Sequence, residues 1–139
     1  MKVMIDTNVI TDVYQNRLPF VTYSAKILKL AEANKLIGMV TASTITDVYY
    51  ILSRHIKDPV QLKTLVQKFL SAVKLLDVLA ADVSAAFDLP IDDFEDALFA
   101  QCAKRSKADC IITRNTKDFV NSPVYCMEPE LFLAKFFNE

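Results

Sequence analysis

Four short acidic segments hold the residues of this chain best suited to chemistry: Asp6, Thr7 and Asn8; Thr41, Ser43, Thr44 and Asp47; Asp92, Asp93, Glu95 and Asp96; and Thr113, Arg114, Asn115, Lys117 and Asp118. Each of them carries at least one carboxylate, with hydroxyls or amides beside most. The only basic residues are Arg114 and Lys117, at the rim of the last segment. Two like charges about 4 Å apart repel by roughly 4 kcal/mol at an effective dielectric of about 20, so three or four converging carboxylates need protons or a cation. An all-oxygen donor set suits a hard cation, Mg²⁺ or Mn²⁺, and disfavours zinc, which prefers histidine and cysteine. One or two such ions stabilise the attacking and leaving oxygens of a phosphodiester displacement and lower the pKa of water. The chemistry these residues favour is therefore phosphodiester hydrolysis.

That chemistry requires elements that bring the four segments together. Short apolar runs occur at VMI (3–5), IGMV (37–40), LLDVL (75–79), CIIT (110–113) and VYC (124–126), and these are the strand candidates. Helical spacing links Tyr23, Ile27, Leu30 and Ala31; then Ile45, Val48, Tyr49 and Leu52; then Leu62, Leu65, Val66 and Phe69. Further helices are expected at about 81–88, 93–105 and 128–137. Pro19, Pro59, Pro90, Pro123 and Pro129 fall between or at the starts of these stretches, where a missing N–H does least harm. Strands alternating with helices imply right-handed crossovers and a mostly parallel sheet covered on both faces. The expected fold class is α/β, a three-layer, Rossmann-like arrangement of about five mostly parallel strands flanked by helices, forming a single domain over 1–139. In such sheets the site lies outside the carboxyl ends of the strands, where the acidic segments fall.

Each acid also has an ordinary structural use. Asp47 stands three residues after Thr44 and Asp96 three after Asp93, the spacing of a capping box. Asp118, in NTKDF, fits a turn. Asp6 is harder to explain this way, because a carboxylate at the mouth of a central strand is costly to bury without a partner. None of these uses explains why all the acids share one edge. Arg114, Lys117, Lys104 and Arg54 are candidate phosphate contacts, with solvated surface charge as the plainer alternative.

Composition narrows the class. Over 139 residues, 16 Lys and Arg oppose 17 Asp and Glu, which argues against a broad nucleic-acid-coating or membrane-binding basic surface. The chain is 53% hydrophobic with one glycine, Gly38, which fits a compact, helix-rich globule. Cys102, Cys110 and Cys126 are odd in number and lack CxxC spacing, and a single His55 cannot build a multi-histidine site. No leader-like run opens the chain and no apolar stretch approaches the roughly 18 residues of a spanning helix, so a cytoplasmic location is expected.

The segments IDTNV (5–9), TASTITDVYYIL (41–52), DFEDALFAQCAKRSKADCIITRN (93–115) and KDF (117–119) together resemble the four acidic blocks of the PIN domain family, in order and spacing. The resemblance spans essentially the whole chain. It implies a Mg²⁺- or Mn²⁺-dependent ribonuclease; four acids could hold one or two ions, and an edge cleft in so small a domain has little room for a duplex, so single-stranded RNA is the expected substrate. By the same resemblance Asp6 and Asp96 match metal-binding acids, and Asp47 stands where most members carry glutamate. Asn115 replaces a frequent aspartate, leaving Asp118 as the fourth acid. Thr7, Asn8, Thr113 and Asn115 match small polar neighbours that orient the carboxylates, and Arg114 and Lys117 would meet substrate phosphates. Many small members are VapC-like toxins of toxin-antitoxin pairs, usually homodimers inhibited by a small antitoxin protein. Two other readings remain: a Mg²⁺-dependent phosphohydrolase, whose usual acid two places after the first is here Asn8, and a non-catalytic RNA-binding or interaction module on the same fold.

Overall fold

A computed structural model describes residues 1–138. Strands β1 (Lys2–Ile5), β2 (Ile37–Thr41), β3 (Lys74–Leu76), β4 (Cys110–Ile112) and β5 (Cys126–Met127) form one sheet in the order β3-β2-β1-β4-β5. Every pairing is parallel, with Val3 facing Gly38 on one side and Cys110 on the other. Around the sheet lie α1 (Thr7–Tyr14), α2 (Val21–Glu32), α3 (Ala42–Ser53), α4 (Pro59–Leu70), α5 (Ala80–Ala86), α6 (Phe94–Arg105) and α7 (Pro129–Phe137), with a 3-10 turn at Thr116–Phe119. The three-layer parallel α/β fold is the one expected from the alternation of runs.

Both faces of the sheet are buried, which is why its strands read as unbroken apolar runs. Val3 and Ile5 enter one core with Val9, Ile27, Val48, Leu52 and Phe132, while Met4 enters the other with Met39, Phe99, Ala100 and Ile111. Gly38 lets β2 and α2 approach closely. A Cβ there would lie 3.0 Å from Ile5 Cδ1 and 3.1 Å from the Ala31 Cβ. The chain lays down β2 and β3 on one side of β1 and then crosses to the other for β4 and β5. The direction of winding reverses at β1, which opens a crevice at its carboxyl end.

Two strands and one helix depart most from expectation. The third strand stops at Leu76, short of Leu79, which is already the N-cap of α5 and whose amide donates to Asp82 Oδ2 at 2.9 Å. The fifth is a two-residue edge, Cys126–Met127, shifted from 124–126. Helix α1 is missing from the expected helices altogether: it starts directly after β1, with Asp6 as its N-cap, so Asp6 does open a local structure as well as close a strand. No helix among the described residues is long and apolar enough to cross a membrane.

Behind the sheet edge, Asp82 is buried and accepts from Arg105 Nε at 2.9 Å, while Arg105 Nη2 donates to the Asp77 carbonyl at 2.6 Å. Burial works against the Asp82 charge, but the Leu79 amide and the Arg105 guanidinium outweigh it and hold the carboxyl below its ordinary 3.8. A depressed native value means that the stabilisation is complete above the unfolded value and is lost as pH falls through the native one. Asp82→Asn is expected to cost about 1–3 kcal/mol at pH 7. In urea unfolding followed against pH, the gap from wild type should close below about pH 3.8.

Candidate active site at the carboxyl edge of the sheet

The site is built outward from Asp6. Its amide donates to the Ile112 carbonyl at 3.0 Å, continuing the β1–β4 ladder one residue past the strand. Its Oδ1 accepts the Thr7 amide at 2.8 Å, and Oδ2 accepts the Thr113 hydroxyl at 2.8 Å and Asn8 Nδ2 at 3.2 Å. Asn8 Oδ1 in turn takes the Arg114 amide at 3.2 Å, and the Thr113 hydroxyl oxygen takes the Asn115 amide at 3.0 Å. Thr7, Asn8, Thr113 and Asn115 thus meet in one network that ties the ends of β1 and β4 and fixes the Asp6 carboxylate. Burial pushes that carboxyl up, the Thr113 and Thr7 bonds pull it down, and the charges of Asp118 and Asp47 push it up again, with a net rise.

Asp96 comes from the first turn of α6, where Asp93 Oδ1 caps its amide at 3.0 Å. Its own carboxyl is pushed up to about 6, by burial first and then by Asp93, Asp6 and Asp118. Asp118 lies in the 3-10 turn, beside a recess shared with Asp93, Asp96 and Lys117. Asp47 sits in the second turn of α3. That helix is capped by Thr41, whose hydroxyl accepts the Thr44 amide at 3.1 Å, so the box expected between Thr44 and Asp47 does not form. Asp47 is left to face the recess, where it meets Glu95. The Glu95 carboxyl is pushed up to about 7, chiefly by its hydrogen bond with Asp47, then by burial and the surrounding acids.

All four expected acids therefore lie within electrostatic reach at one edge, and Glu95 joins them. It belongs to the acidic start of α6 in sequence, but its pairing with Asp47 had no sequence signal. The recess between Asp6, Thr41, Thr44, Asp47, Glu95 and Asp96 encloses about 60 Å³, room for a few waters or a hydrated ion. Its donors are carboxylate and hydroxyl oxygens. The nearby Cys102 thiol is pushed up to about 11 by burial and stays protonated. Among the described residues no group of three or more acidic, histidine or cysteine side chains is placed to hold a metal ion as it stands. The donors form an open, mutually repelling set, and by type they fit a hard divalent cation.

Two basic residues stand elsewhere than expected. The Arg114 guanidinium turns away from the acids onto Asp12, with Nη2 donating to Oδ1 at 3.0 Å and Nε to Oδ2, and its cation lies 4.0 Å from the Phe20 ring centre. Asp12 is fully buried on α1 and demands this partner, which explains why Arg114 is not free for phosphate. Lys104 lies in the last turn of α6, about 12 Å along the helix from Asp96. Lys117 stays at the rim beside Asp118. Arg17, which carried no sequence signal, is half exposed, stands 3.9 Å from Asp12 and lines the groove next to Asp6.

Comparison with known proteins bears on this geometry. The model of the PIN domain family matches residues 2–117. Ribonuclease VapC1 of Aquifex aeolicus is 28% identical over 143 residues, spanning 97% of this chain and 95% of that protein. The fold is similar to VapBC2 from Rickettsia felis bound to a promoter DNA fragment, with TM-score 0.70 at 20% identity over 92% of this chain and 98% of that one. It is also similar to Mycobacterium tuberculosis VapC20, a Sarcin-Ricin loop cleaving toxin, with TM-score 0.65 at 11% identity over 88% and 98% of the two chains. With the family pattern running from the first strand into the turn that begins at Thr116 and ending at Lys117, this chain belongs to the PIN domain family.

Proposed function

We propose that the chain is a divalent-metal-dependent endoribonuclease that hydrolyses single-stranded RNA and acts as the toxin of a toxin-antitoxin pair. The observation that carries this reading is the convergence of Asp6, Asp47, Asp96 and Asp118 on one sheet edge, where neighbouring carboxylates help to raise the Asp6 and Asp96 carboxyls and Lys117 and Arg17 stand only at the rim. Similarity to Ribonuclease VapC1 over nearly the whole length supports the activity. Similarity of fold to a toxin-antitoxin complex from Klebsiella pneumoniae, among others, supports a small protein antitoxin as partner. A homodimer belongs to the same reading.

Asp6, Asp96 and Asp118, with Asp47 and Glu95 opposite, are the residues that would hold Mg²⁺ or Mn²⁺. When bound, such an ion supplies a nucleophilic water at neutral pH and neutralises charge on the scissile phosphate. The protein's own contribution is positional. Thr113 and Asn8 lock the Asp6 carboxylate in one orientation, and Asp93 holds the start of α6 so that Asp96 faces it. The narrow recess admits phosphate oxygens and keeps bases outside, which suits a strand whose bases are unpaired and can turn away.

A labelled single-stranded RNA incubated with the protein in Mg²⁺ or Mn²⁺ tests the reading, with a small phosphomonoester in parallel. Internal cleavage of RNA without phosphomonoester turnover is expected. Turnover of the phosphomonoester alone would assign a phosphohydrolase, and RNA binding without cleavage a non-catalytic module. Expression in a bacterial host should arrest growth with the wild-type chain and not with Asp6→Asn.

A further inference from the structure

From the carboxylate recess a groove of about 420 Å³ runs past Asn8 and Ile51 to Tyr50 and Arg17. Along α3 and its C-cap, Asp47, Tyr50, Ile51 and Arg54 are spaced three and four apart and so line one side of the helix, while Thr44, Val48 and Leu52 are its buried residues. One helix face thus carries, in order, a site acid, an aromatic ring and an arginine. Tyr50 is 62% exposed, far more than a ring of that size needs for packing. It is nevertheless held in place: Arg54 lies 4.7 Å from the ring centre and its Nη2 donates to the Tyr50 hydroxyl at 3.2 Å. The guanidinium lies over the ring, and the side chain as a whole stays largely exposed where it lines the groove. On the far side of the groove, Arg17 stands 3.9 Å from Asp12, and its half-exposed side chain keeps the charge accessible.

We infer that this groove is a nucleotide subsite beside the scissile phosphate, in which an unpaired base stacks on Tyr50 and the neighbouring phosphate meets Arg17. The inference rests on the ribonuclease reading and adds where the single strand is gripped. Its physical basis is that aromatic rings accept any base face, whereas a basic residue nearby tracks the backbone. An open groove of this size takes one nucleotide, and the surrounding acids leave Arg17 as the phosphate contact within it. The fixed orientation of Tyr50 means that little freedom is lost when a base stacks.

The test is steady-state cleavage of a short labelled single-stranded RNA by wild type, Tyr50→Ala, Tyr50→Phe and Arg17→Ala in Mn²⁺. Tyr50→Ala should raise KM about tenfold with kcat unchanged, since stacking on an exposed ring sits toward the lower part of the measured range. Tyr50→Phe keeps the ring and should stay near wild type. Arg17→Ala should make the salt dependence of log KM shallower by about 0.7, the contribution of one phosphate contact on a single strand. Replacing the nucleotides that flank the cleaved bond, one at a time, by abasic units should weaken wild type at one position and leave Tyr50→Ala indifferent there. A Tyr50→Ala protein with wild-type KM, a Tyr50→Phe protein as weak as Tyr50→Ala, or an abasic penalty that persists in Tyr50→Ala overturns the subsite. Failure of the wild type to cleave any RNA overturns the ribonuclease reading first, and the subsite with it.

Discussion

Asp6→Asn is expected to reduce RNA turnover by at least about 10³-fold with the fold retained, beyond the roughly 10–100-fold typical when only a residue that orients a metal ligand is lost. Asparagine keeps the shape of the side chain and can still accept the Thr7 amide that Asp6 takes at 2.8 Å. What disappears is the negative charge at the centre of the acidic edge, together with the acceptor that receives both Thr113 and Asn8. Thr113→Val is the matching probe of orientation alone. It removes the hydroxyl that fixes Asp6 and should cost about 10–100-fold. Measuring kcat beside thermal unfolding for both variants separates chemistry from stability: the two should differ in activity by an order of magnitude or more while both melt cooperatively. Equal losses would mean that Asp6 serves only as a strand-end cap.

The largest effect on stability should come from a residue outside the catalytic set. Asp12 is completely buried, and its charge is balanced by Arg114, whose side chain is 22% exposed. Removing one partner of a buried pair strands the other charge, which typically costs 3–5 kcal/mol. The partial exposure of Arg114 sets Asp12→Asn at the lower end, about 3 kcal/mol, or a fall in Tm of about 10 °C for a domain of this size. Replacing both, Asp12→Leu with Arg114→Met, leaves no orphaned charge and should recover most of that loss. The double variant also decides what Arg114 does. The amide that donates to Asn8 belongs to the backbone and survives the substitution. Cleavage by the double variant should therefore keep a wild-type KM, whereas a raised KM would show Arg114 reaching RNA after all.

The sheet was legible in the sequence because both of its faces are buried, so that VMI, IGMV and CII are apolar throughout and need no alternation to be read. The acidic edge was legible for a related reason: in a parallel sheet the residue that ends a strand is also the residue that meets the crevice. Asp6 and Asp96 fell where that rule puts them. Helix α1 was hidden by its own polar content. Thr11 and Asp12 are buried in it beside Val9 and Ile10, so its inward face does not read as apolar. The same burial hid the partner of Arg114, which looked like a phosphate contact because nothing in the sequence marks Asp12 as a charge in need of compensation. The capping box at Thr44 failed for a simpler reason. Thr41 lies at the end of β2 and caps α3 itself, starting the helix early enough that Asp47 is free for the site. Glu95 is on the same edge as Asp96, but only the tertiary fold, which brings residues of α3 and α6 to one recess, sets it on Asp47, a contact between residues far apart in the chain.

The most direct test of metal-dependent hydrolysis at this edge is the rate of single-stranded RNA cleavage by the wild-type chain as Mn²⁺ is titrated into chelator-treated protein. Cooperation of Asp6, Asp47, Asp96 and Asp118 around a hard cation predicts no cleavage before Mn²⁺ is added, a saturable rise with its concentration, and complete loss when chelator is returned in excess. Cleavage that persists in chelator at the Mn²⁺-saturated rate would contradict it.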